Sequence, residues 1–138
     1  MKIYLLNPPF KPNFVRCGRW QGVSARGGGL NYPPWLAYAT GLLEETYKDV
    51  KLVDAIANKW GIEDVITDVK TFNPDLVVID SNFSSVSNDI NVARLIKQQV
   101  GCMTVLVGPP TSQLPKQSFK MKALTSSHVL NTILRYKK

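Results

Sequence analysis

At 138 residues, with 44% hydrophobic and 20% charged side chains, the chain has the size and composition of one globular domain with a single core, which argues against disorder. No run is apolar enough to span a bilayer, and the opening Met1–Leu6 is too short for the core of a secretion signal, so a cytoplasmic protein is expected. The net charge of +7 is concentrated at the end: Lys116 to Lys138 holds six basic residues and no acidic one, and with no nucleic-acid-binding motif beside it this tail reads as a solvated end, not a DNA or RNA surface.

In chain order, Lys2–Leu6 reads as a first strand, stopped by Asn7-Pro8-Pro9 because proline cannot donate to a ladder. Roughly two dozen residues without an evident regular pattern follow, far more than the few usual between a strand and a helix, and loops of that length are generally functional or disordered. This one carries prolines, the glycine run Gly27-Gly28-Gly29, and Arg16, Arg19, Trp20 and Arg26, side chains suited to gripping a large, partly anionic ligand or a partner's acidic surface. Pro33-Pro34 suits a helix's first turn. Trp35, Leu36, Ala39, Leu42 and Leu43 then share a helical face, with Trp35 read as core, and the helix is expected to end near Lys48-Asp49.

Val50–Asp54 reads as a second strand. Asp54 at its end would bind a ribose hydroxyl in a dinucleotide fold, but the Gly-x-Gly-x-x-Gly that must precede it is missing. A second helix opens at Gly61-Ile62-Glu63-Asp64, with the inward stripe Ile62, Val65, Ile66 and Val69, and breaks at Phe72-Asn73-Pro74. Asp75–Asp80 is a β-branched and leucine run of the kind buried on both faces of a parallel sheet. A polar turn over Ser81–Asn88 leads into a third helix marked by Val86, Ile90, Ala93, Ile96 and Val100. Met103–Val107 is a fourth strand, closing on the turn Gly108-Pro109-Pro110-Thr111-Ser112.

Alternating strands and helices predict an α/β fold, a parallel sheet with helices on both faces in the flavodoxin-like order 2-1-3-4, with the fifth element open between strand and helix. Its switch point, between strands one and three, is where such sheets bind ligands. Residues 1–115 form this domain. Residues 116–138 form a basic segment whose last stretch reads as a fifth strand or, by preference, a short helix with Ser127 as its cap and Leu130, Ile133 and Leu134 inward.

Leu5-Leu6-Asn7-Pro8-Pro9-Phe10, the Arg-bearing loop, Tyr32-Pro33-Pro34-Trp35-Leu36-Ala37-Tyr38, Val53-Asp54-Ala55 and Val107-Gly108-Pro109 together resemble the N-terminal cobalamin-binding domain of radical S-adenosylmethionine enzymes, of the anaerobic magnesium-protoporphyrin IX monomethyl ester cyclase type. The resemblance implies a Rossmann-like fold with a corrin ring across the sheet's carboxyl edge and a nucleotide tail entering the core. It further implies cofactor contacts from Asn7, Pro8, Pro9, Arg16, Arg19, Asp54, the turn Ser81-Asn82-Phe83-Ser84, and Gly108, Pro109, Thr111 and Ser112, and a radical S-adenosylmethionine catalytic domain or subunit as partner.

Three departures qualify what is implied. Pro109 replaces the second glycine of the family's Gly-Gly turn. The Asp-x-His-x-x-Gly that supplies a lower cobalt ligand in methionine-synthase-type domains is absent, and the sole histidine is His128. With only Cys17 and Cys102, the chain holds no Cys-x-x-x-Cys-x-x-Cys for a [4Fe-4S] cluster, so it is expected to be inactive alone. Two alternatives stand beside the cobalamin module: a degenerate domain that kept the fold as an interaction or regulatory subunit, and a flavodoxin-like enzyme on another ligand, for which no acid-base or nucleophile-base pair is apparent.

Overall fold

The structure, a computed structural model, describes residues 1–16, 23–24 and 32–113, with backbone only at 23–24 and 112–113. Arg19, Trp20, Arg26, the glycine run and the basic segment 116–138 lie outside the described residues.

Four parallel strands form one sheet: β1 (Ile3–Asn7), β4 (Val50–Asp54), β5 (Leu76–Asp80) and β6 (Met103–Val107), in the order β4-β1-β5-β6. Counting only these four, that is the expected 2-1-3-4. The register sets Leu5 beside Leu52 on one side and Val78 on the other, and Ile79 beside Leu106. Side chains alternate across the sheet as the strand period demands. Tyr4, Leu6, Val53, Val77, Ile79 and Leu106 face α2 (Ile62–Phe72) and α3 (Val86–Val100), while Ile3, Leu5, Leu76, Val78 and Val105 lie on the side of α1 (Pro34–Glu44). Both faces of β1 and β5 are therefore dry, and their near-continuous apolar sequence is the consequence. Each fully buried aliphatic side chain here stabilises the fold by about 1.5–3 kcal/mol.

One buried polar group in this core has a built partner. Tyr4 is sealed, yet its hydroxyl donates to Asp68 Oδ2 at 2.7 Å, and Lys51 Nζ stands 2.8 Å from Asp68 Oδ1. Burial and the acceptor both push the phenol's pKa up, so it stays protonated.

Several local expectations need correction. The first loop is not wholly irregular: β2 (Phe14–Val15) pairs antiparallel with β3 (Val23–Ser24), Phe14 opposite Ser24. β1 runs one residue further than read, because Asn7 still pairs with Asp54 before the prolines end the ladder. α1 ends at Glu44, several residues early, where the amides of Thr46 and Tyr47 both turn back onto the Leu43 carbonyl. On that helix Leu36 and Leu43 point inward and Ala39 packs beside them, whereas Trp35 is 71% exposed and Leu42 46%. Trp35 is thus not core. At about 100° per residue, positions 35, 38 and 42 fall on the neighbouring, outer line of the helix.

In α3, Ala93 and Ile96 of the expected stripe are buried and Ile90 and Val100 pack beside them, but Asp89 and Val92 are buried too, and the helix begins at Val86, which shortens the preceding turn. The segment after β6 is not an open turn but a short helix, α4 (Pro109–Gln113), with proline in its first turn.

Candidate functional site

The carboxyl ends of β1 and β5 meet at the switch point, and a charged side chain fills it. Arg16, carried back by the β2 strand, is 5% exposed. Its Nη1 donates to the Asn7 side-chain carbonyl at 2.9 Å and to the Pro8 carbonyl at 2.6 Å, its Nε to Ser85 Oγ at 3.2 Å, and its Nη2 to Asp89 Oδ1 at 2.8 Å. Phe10 and Phe14, packed edge to face, stand beside the guanidinium at 5.7 and 5.3 Å. Burial pulls the guanidinium's pKa down, and Asp89 pulls the other way.

Asp89, wholly buried, completes the network. Its Oδ2 accepts from Ser81 Oγ at 2.9 Å and Ser85 Oγ at 2.6 Å. Asn88 donates to the Pro9 carbonyl at 2.8 Å, tying the other side of the first loop to the same helix. A buried ion pair is tolerated when the remaining donors and acceptors are satisfied, and among the described residues no buried side-chain nitrogen or oxygen lacks a partner.

The expected site residues divide accordingly. Asn7, Pro8, Arg16, Ser81 and Asn82 are buried parts of this support, brought together as expected but facing one another. Asn82 Oδ1 accepts from the Ser84 amide at 3.2 Å, which shapes the turn. Pro9 is half-buried, while Phe83 (37%) and Ser84 are exposed at the edge. Asp54 Oδ1 accepts from Asn7 Nδ2 at 2.9 Å and from the amides of Ile56 and Ala57, so it ties down the turn after β4. Thr111 Oγ1 donates to the Gly108 carbonyl at 2.7 Å, Pro109 opens α4, and of Ser112 only the backbone is described. Arg19 falls outside the described residues.

Asp89 and Ser85 were missed. Asp89 stands three and four residues before Val92 and Ala93, an acidic side chain at the head of an apolar helical stripe, and that pattern is the signal available for it.

Gly108 has φ +118°, and a Cβ there would run into the Ser81 carbonyl. The turns after β5 and β6 are therefore in backbone contact, held also by the Ser81 amide donating to the Val107 carbonyl at 2.9 Å. A nucleotide tail entering between them would have to part them. That closed contact does not fit an inserted tail.

Over 110 residues, 80% of the chain, the sequence is 30% identical to a Pyrococcus horikoshii protein named as an uncharacterized methyltransferase. The chain spans 22% of that protein's length. No family model matches, and no solved structure matches. Among the described residues no helix is long and apolar enough to cross a membrane, and no group of three or more His, Cys, Asp or Glu is placed to hold a metal ion.

Proposed function

We propose that this chain is a cobalamin-binding module of the kind that serves radical S-adenosylmethionine enzymes, presenting the cofactor on the carboxyl edge of its sheet to a separate catalytic domain or subunit. The observation that carries this reading is the switch point between β1 and β5, where the first loop is bolted to α3 by Arg16 and leaves Pro9, Phe83 and Ser84 on the rim. The name of the Pyrococcus relative favours methyl transfer as the reaction served. The cyclase-type reading rests on sequence resemblance. Bound cobalamin would supply a cobalt-centred carrier for such chemistry; this chain's own part is to orient the ring and shield one of its faces.

The test is to mix the purified protein with hydroxocobalamin, desalt it, and record the visible spectrum. Stoichiometric retention is expected, unchanged in His128→Ala. Phe83→Asp should lower affinity about tenfold, equivalent to roughly 1.4 kcal/mol. No retention by folded protein would overturn the reading.

A second reading has its own support. The closed contact between Gly108 and Ser81 suits a domain that kept the fold without the cofactor, serving as an interaction subunit. Failure to retain cobalamin, in a protein that still unfolds cooperatively, is the outcome it expects.

A further inference from the structure

Away from the Ser81–Gly108 edge, the first loop and the turn after β4 enclose a cleft of about 290 Å³ lined by Phe10, Lys11, Asn13, Ile56, Lys59 and Trp60, together with Pro12 and Ala55. That is the lower end of ligand-cavity sizes, suited to a ring with one substituent and far too small for a corrin. Of its lining, Ala55 and Ile56 are buried and apolar. Trp60 forms an aromatic wall whose inner side packs on the α2–α3 core. Among the described residues no carboxylate lines it, and two lysines do.

Both walls are held from behind. Phe10 stands beside the buried Arg16, and Lys11 Nζ is 5.5 Å from the Phe10 ring. The opposite turn is closed by the Trp60 amide donating to the Ala55 carbonyl at 2.8 Å and by Asp54, whose Oδ1 is taken up by Asn7 and the Ile56 and Ala57 amides. Lys59 has φ +57° and Asn13 φ +55°. Glycine would take the Lys59 conformation more cheaply, and holding a lysine there sets an ammonium on the rim.

We infer that this cleft binds a small planar aromatic compound bearing one phosphate or carboxylate. The ring lies between Trp60 and Phe10, and the anion meets Lys11 and Lys59, at the β4 end of the carboxyl edge, whereas Phe83 and Ser84 follow β5.

Titration of the full chain with phenyl phosphate and with 4-hydroxybenzoate, following Trp60 emission with Trp60→Phe as control, tests this. Saturable quenching by at least one of the two is expected, and which one distinguishes a phosphate from a carboxylate ligand. Phenol and inorganic phosphate should each bind at least about tenfold more weakly, and binding should weaken with added salt because the rim charges are exposed. Lys11→Met and Lys59→Met should each reduce affinity about tenfold with the melting temperature unchanged. Phe83→Asp should leave this binding intact whether or not the protein holds cobalamin. The inference is overturned if neither acid gives saturable quenching in the folded protein, or if both lysine variants bind as the parent does.

Discussion

Arg16 Nη2 lies 2.8 Å from Asp89 Oδ1, with the two side chains 1% and 0% exposed. Breaking such a pair from one side leaves a buried charge uncompensated, so Arg16→Met or Asp89→Leu alone should destabilise by about 3–5 kcal/mol. The double variant should cost markedly less than the two single costs added together. Urea unfolding of all four proteins gives the coupling; strict additivity would show that the two side chains do not act as a pair.

Glycines in different settings should respond in opposite directions. Gly108→Ala adds a Cβ against the Ser81 carbonyl at a positive φ, and should cost on the order of 2–4 kcal/mol. Gly41, inside α1 with nothing within 4 Å of its would-be Cβ, should gain about 0.5–1 kcal/mol on replacement by alanine. Thermal melts of the two variants read both signs.

On α1, Trp35→Ala and Tyr38→Ala should change stability by no more than about 0.5 kcal/mol, since these rings are 71% and 74% exposed. Leu36→Ala, on the inner line and 2% exposed, should cost about 2–5 kcal/mol. Denaturation midpoints of the three would separate the two faces of the helix.

How far the sequence reaches is visible on that helix. Its existence and proline start were legible, but Trp35 was placed inside, because several apolar residues spread round the cylinder let more than one face pass for the inner one. The four sheet strands were clear, since burial on both sides forces the unbroken runs Leu76–Ile79 and Ile3–Leu6. The candidate site was half legible. Asn7, Arg16, Ser81 and Asn82 do gather at one edge, yet whether a polar residue faces a ligand or another side chain depends on partners far along the chain. Nothing near Arg16 in sequence announces Asp89, and only the fold brings them together.

Asp80 gives a pH dependence. Its carboxyl, at the end of β5, is pushed up from 3.8 to about 7, chiefly by burial, with Arg16 opposing and Asp89 adding to the rise. The folded form keeps this proton to higher pH than the unfolded chain does, so folding takes up a proton between about pH 4 and 7. The group's contribution to stability is fullest below that window, falls as pH rises through it, and is level above. Asp80→Asn lacks the slope. Its stability relative to the parent should climb from pH 4 to 7 and then stay constant, as measured by urea unfolding at successive pH values; a flat difference would place the carboxyl's titration elsewhere.

The Arg16–Asp89 bond also spans 73 residues of chain. On a ribosome adding roughly 5–20 residues per second, Arg16 is added about 4–15 s before Asp89. Throughout that interval the guanidinium lacks its carboxylate, and the first loop has no α3 to fasten to. β1 is made before the other strands of the sheet, but the loop that follows it can be locked only after β5 and α3 have been translated and docked, so a segment made before them reaches its final place after them.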